Sequence, residues 1–275
     1  AALGRAAERG DAAAGLRITR DLLRFWSAHG HYEEGRRWID TFLAAGGDPP
    51  DALRLAAFLG AGYLAYRQGD HGAGRERLAA GLALARATGD RAQEADSLVR
   101  LGHIAVATGD YPEAARLYEG GLALRRALGG SSDVGIVVGS LGRLETLRGE
   151  QVRGLALLEE ASDIFRALGD ISNLSVTQRI LGLAAADRGD QAAGRGWFAA
   201  SLAGYTALGD QQGIAICLIG FADLAAATGR HARALRLAGA VEGARQALGL
   251  PLPGEWQARL ARAIDRARAA LPPDE

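Results

Sequence analysis

The sequence predicts an all-α fold, an α-solenoid of antiparallel helix hairpins with a 40-residue period, and three observations carry that prediction. A glycine break recurs every 20 residues from position 69 to position 249. The segments between breaks place apolar residues at helical intervals. The hydrophobic fraction of 48% is drawn from Ala and Leu rather than from the β-branched and aromatic residues that strands favour.

Residues 1–50 read as opening helices outside the glycine register, with Trp26 and Trp38 packing between the arms of a hairpin over residues 22–46. Regular repeats follow at 51–90, 91–130, 131–170, 171–210 and 211–250. Within each, Gly69-Asp70, Gly109-Asp110, Gly149-Glu150, Gly189-Asp190 or Gly229-Arg230 divides the first helix from the second. Gly89-Asp90, Gly129-Gly130, Gly169-Asp170, Gly209-Asp210 and Gly249-Leu250 divide one repeat from the next. Gly takes the left-handed conformation that closes a helix, and the Asp after it accepts hydrogen bonds from the free amides that open the next. Pro112 sits in the first turn of its helix, where its missing amide hydrogen costs nothing. Leu98, Leu101, Ile104 and Ala105, then Ala114, Leu117, Tyr118 and Leu122, show the amphipathic spacing of one such pair. Residues 251–275 read as a capping helix, and Trp197 and Trp256 seal the later hairpins. Breaks this tight force antiparallel pairs, and equal spacing stacks them in one sense, so residues 1–275 read as a single array with a concave side lined by first helices.

Several function classes drop out on composition. The 32 basic and 32 acidic residues cancel, leaving no net field for a nucleic-acid backbone or an anionic membrane, so the reading is no direct nucleic-acid binding and no membrane partner. Every basic residue is Arg, and a phosphate-binding loop needs Lys. Cys217 is the lone cysteine, in the apolar run GIAICLIGFADLA, which excludes an intrachain disulfide and reads as a small core residue in a reduced, cytoplasmic protein. His29, His31, His71, His103 and His231 never form the i, i+4 pair with Glu that holds zinc on a helix. Nothing gathers a nucleophile, a base and oxyanion donors, so the chain reads as no enzyme, with no cofactor and no metal. No stretch is apolar for the roughly 20 residues of a membrane span. The chain contains no Met, and the expectation is a segment of a longer protein.

Aligned on LVRLGHIAVATGDYPEAARLYEGGLAL, residues 98–124, the chain resembles the tetratricopeptide repeat. Leu101-Gly102 matches its Leu-Gly, Gly109-Asp110-Tyr111 its turn, and Ala114, Tyr118 and Leu122 its second-helix packing positions. The small residue of the first helix recurs as Gly62, Gly102, Gly142, Gly182 and Ala222. Six residues beyond the usual period of 34 make the helices longer, as in the repeat domain of the maltose-regulator class of bacterial transcription activators. Residues 22–46 resemble the hairpin that follows the nucleotide-binding module of large bacterial signal-transduction ATPases, and residues 235–271 resemble the closing repeat of the same proteins. The resemblance implies a right-handed superhelix and a sensor or interaction domain of a bacterial regulatory ATPase or transcriptional regulator. The alternative is a free-standing adaptor that assembles proteins. Either binds a protein or peptide, or a small-molecule effector.

Side chains one and four positions after the Leu-Gly glycine point from first helices into the groove. The candidate contact residues at or beside these positions are Tyr63, Tyr66, Arg67, His103, Arg143, Arg179, Asp187 and Asp223. Tyrosines beside arginines supply the large, rigid contact groups and the anion-pairing capacity that dominate interfaces.

Overall fold

A computed structural model describes residues 1–249, 252 and 254–271. Leu250, the second member of the last glycine break, and the ends of the capping segment at 251, 253 and 272–275 lie outside the described residues. The described residues form fourteen helices and no strand. They divide into two compact units, residues 1–130 and 131–275.

The first unit contains α1 (Ala2–Glu8), α2 (Ala12–His29), α3 (Tyr32–Ala44), α4 (Asp51–Gln68), α5 (His71–Thr88), α6 (Arg91–Ala107) and α7 (Tyr111–Leu128). The second contains α8 (Ser131–Leu147), α9 (Gln151–Leu168), α10 (Ile171–Asp187), α11 (Gln191–Leu208), α12 (Gln211–Ala227), α13 (His231–Leu248) and α14 (Gly254–Ala269). In each unit, helices adjacent in sequence pack as pairs, and first helices also touch first helices, α4 on α6 and α10 on α12.

Glycine and aspartate close and open these helices as their chemistry demands. Gly69 ends α4 at φ +83°, and the Asp70 carboxylate accepts the Ala73 amide at 3.1 Å to open α5. The same bond joins Asp90 to Gln93, Asp110 to Glu113, Asp170 to Asn173, Asp190 to Ala193 and Asp210 to Gly213. Glu150 and Arg230 stand in that position without a side-chain cap.

First and second helices carry different burdens. In α4 the buried positions run almost around the helix, Leu53, Leu55, Ala57, Leu59 to Gly62, Leu64 and Ala65, because the helix is enclosed by neighbours. In α5 only Gly74, Leu78, Gly81 and Ala85 are buried, a single stripe. The pairs cross at the Leu-Gly glycine. A Cβ on Gly102 would lie 2.5 Å from the Tyr118 ring, and one on Gly62 2.6 Å from Leu78. The register position holding Leu78, Tyr118, Leu158 and Phe198 is Ala238, and there the crossing residue, Ala222, carries a methyl group at full burial.

Candidate binding surfaces

Most of the side chains that the groove pattern singles out fall into two clusters, one on each unit. In the first unit α2, α3, α4 and α6 bring Ser27, Tyr32, Tyr63, Arg67 and Arg100 together. The Arg67 guanidinium donates to the Ser27 hydroxyl at 3.2 Å, to the Tyr63 hydroxyl at 3.0 Å and to the Tyr32 hydroxyl at 3.1 Å. It also lies 5.5 Å from the centre of the Tyr32 ring, and Arg100 lies 5.5 Å from the centre of the Tyr63 ring. Ser27 donates to the Tyr63 oxygen at 3.2 Å. Burial pushes the Tyr63 phenol up, but the hydrogen bonds from Ser27 and Arg67 and the charges of Arg67 and Arg100 outweigh it and hold the phenol below its usual value. Neither Arg67 nor Arg100 meets a carboxylate among the described residues. Tyr66 extends the surface, with its ring 5.9 Å from His71 and 6.4 Å from His103, which in turn stands edge-on to Tyr118.

The second cluster is built differently. Arg143 on α8, Arg179 and Asp187 on α10 and Asp223 on α12 are all met by α14. Arg259 of α14 donates to Asp223 at 2.5 Å and to Asp187 at 2.6 Å, bridging two first helices. Burial works against the Arg259 charge, but these two carboxylates more than compensate and raise its pKa. Glu255 pairs with Arg143 at 3.4 Å, and the Trp256 ring, 2% exposed, lies 5.3 Å beneath the Arg179 guanidinium. Leu252, Trp256 and Leu260 join Ile216, Ile219 and Val241 in one core, which anchors α14. Between α8, α10 and α14 remains a cleft of about 270 Å³.

Six of the eight pattern-selected residues lie in one or other cluster, Tyr63 with Arg67, and Arg143, Arg179, Asp187 and Asp223 around α14, while Tyr66 and His103 form an aromatic contact of their own with His71 and Tyr118. The groove pattern missed Ser27, Tyr32 and Arg100, and it missed Glu255, Trp256, Arg259 and Arg262. Ser27 stands 40 residues before Arg67, so the period could have placed it, whereas Tyr32, two residues past the Gly30 joint, is 35 residues from Arg67 and falls outside that spacing. A signal for α14 exists: Trp256, Leu260, Ala263 and Ala267 form its buried stripe, and Glu255, Arg259 and Arg262 follow at i, i+4 and i+7 beside it. Cys217 is fully buried and donates to Ser201 at 3.3 Å, and burial pushes its thiol pKa up, which leaves it unreactive. Among the described residues no three His, Cys, Asp or Glu converge to hold a metal, and no helix is long and apolar enough to cross a membrane.

No protein-family model and no curated protein matches the chain. Solved structures do. BtubC from P. vanneervenii superposes with a TM-score of 0.62 at 16% identity, covering 92% of this chain and 95% of that one. A signal transduction ATPase with numerous domains and a tetratricopeptide repeat sensor, from Pyrococcus horikoshii, gives 0.64 at 13% identity over 92% of this chain and 38% of that one. NprR in complex with its cognate peptide NprX gives 0.68 at 13% identity over 91% and 71%. These likenesses show the fold, a tetratricopeptide-like helical repeat.

Proposed function

We propose that the chain is a non-catalytic binding scaffold that takes a peptide or protein segment on the first-helix face of its first unit, and that it serves as the sensor or interaction domain of a bacterial regulatory ATPase. One observation carries the reading. Arg67 is fixed by three hydroxyl groups and two aromatic faces, so the entropy of ordering it is spent before any partner arrives, yet no carboxylate neutralises it. An acidic side chain or C-terminal carboxylate, with an aromatic neighbour against Tyr63 and Tyr66, complements that surface. The likeness to a repeat sensor of a signal transduction ATPase and to a peptide-bound NprR supports the regulatory and peptide-binding parts.

Selection of binders from a randomised twelve-residue peptide library on the immobilised chain tests the first part. Enriched peptides carry Asp, Glu or a free carboxylate, and their affinity drops about tenfold in Arg67→Gln, the loss expected for one charge-assisted contact. Selected peptides that bind Arg67→Gln as they bind the parent would overturn the site. The coding sequence on either side tests the second part. A phosphate-loop NTPase beside the chain supports a regulatory arm, and a start codon and a stop codon at its limits support the free-standing adaptor.

A further inference from the structure

We infer that the cleft between α8, α10 and α14 of the second unit binds a small organic anion, a carboxylate or phosphate carried on a compact apolar body, and that the occupant pins α14 to the first helices. This is independent of the peptide surface on the first unit.

Charge pairing gives the sign of the ligand. Four arginines line the cleft, Arg143, Arg179, Arg259 and Arg262. Arg143 takes Glu255, and Arg259 takes Asp187 and Asp223. Arg179 and Arg262 meet no carboxylate among the described residues. Arg179 is half-buried and held in place, its plane against Trp256 and its Nε 3.4 Å from the Tyr205 hydroxyl. Its Nη edge donates to no acceptor among the described residues, and two parallel N–H groups on that edge match the spacing of carboxylate or phosphate oxygens. A held cation with a free bidentate edge beside a second free cation is a receptor for an anion.

The walls give the rest of the ligand. Leu147, Ile180 and Leu183 line the same cleft, and Leu147 is 46% exposed where most leucines of first helices are buried. Covering it removes apolar surface from water, which favours an occupant with an apolar body. At about 270 Å³ the space lies below the roughly 300–1,000 Å³ of pockets for drug-sized molecules, so the occupant is small. Because the walls come from α8 and α10 on one side and α14 on the other, the ligand contacts both only while α14 is docked. Its binding energy therefore biases the chain toward that arrangement.

Calorimetric titration of the whole chain with phenylacetate, phenyl phosphate and the neutral phenylacetamide tests the inference. At least one anion binds, phenylacetamide does not, and the tighter anion identifies the head group. Arg179→Gln and the exposed Arg262→Gln each weaken the anion about tenfold, Arg67→Gln leaves it unchanged, and hydrogen exchange over residues 254–269 slows when the anion is bound. Arg262 carries no bond that the fold needs, so its variant decides the matter if Arg179→Gln unfolds. Absence of binding by both anions, equal binding of phenylacetamide, or full binding by Arg262→Gln would overturn the cleft. A loss in Arg67→Gln alone would place the anion on the first unit, ending this inference while supporting the peptide surface.

Discussion

In the first unit the groove arginines face hydroxyl groups and aromatic rings, and in the second Arg143 and Arg259 face carboxylates while Arg179 faces the Trp256 ring and the Tyr205 hydroxyl. Arg67 holds Ser27, Tyr32 and Tyr63, whereas Arg259 holds Asp187 and Asp223, and Arg143 holds Glu255. The helices beneath are built alike. Position by position the register gives Tyr63, His103, Arg143, Leu183 and Asp223, so the scaffold repeats while its outward chemistry does not. The lesson is that a repeat divides its sequence into positions that keep the helices together and positions free to vary. The second unit pairs Arg143, Asp187 and Asp223 with its own last helix, and in the first Arg67 meets hydroxyl groups and rings but no carboxylate.

Removing the anchor of α14 should break this contrast most strongly. Trp256→Ala is expected to cost about 3–5 kcal/mol in urea unfolding and to expose the amides of α14 to exchange. Tyr63→Ala, on a half-buried side chain, costs far less, and equal losses would erase the distinction between a filled and an open surface. Next in size is Arg259→Ala, which strands two carboxylates. A loss of about 2–3 kcal/mol is expected after allowing for the exposure of Asp187, against less than about 1 kcal/mol for Arg67→Ala. A double-mutant cycle with Asp223→Asn should show coupling, and additivity would contradict the bridge.

The joints provide a control, since both units share them. Asp90→Ala and Asp170→Ala should each cost about 1 kcal/mol. Burial pushes the Asp170 carboxyl up, but the amides of Asn173 and Ser172, the Asn173 side chain and Ser132 hold it below its usual value. Its contribution is thus complete above the unfolded value of roughly 3.9 and is lost as pH falls through the lower folded value. Acid titration of stability should show that loss shrink in Asp170→Ala.

The smallest expected difference is spectroscopic. Tyr63 is held below the ordinary phenol value, whereas Tyr205 in the second unit is pushed up, first by burial, which the nearby Arg179 only partly offsets. Ultraviolet titration should show Tyr63→Phe removing an early component and Tyr205→Phe a late one. Above the folded value of Tyr63, stability gains as pH approaches the free phenol at roughly 10; above that, the Tyr205 contribution declines until its own folded value is passed.

Much of the fold was legible because it is written locally. A Gly–Asp joint and an apolar stripe each act within a few residues, and the period ties them together, so helices and crossing glycines follow from reading. That the eight candidates stand on first helices was legible for the same reason. Their partners were not. Tyr32 reaches Arg67 across 35 positions, and Arg259 reaches Asp187 across 72. Such contacts depend on how the chain returns in space, and no periodicity encodes that.

The Gly–Asp joint has a consequence for heredity. A segment cut from Asp90 to Gly129 carries its own opening cap and its own closing glycine, and both of its new ends rejoin a sequence of the same kind. Duplication or loss of 120 nucleotides in frame therefore leaves no helix end unsatisfied. Such a gene can change its length by whole words, and the surface it offers can be redrafted one word at a time.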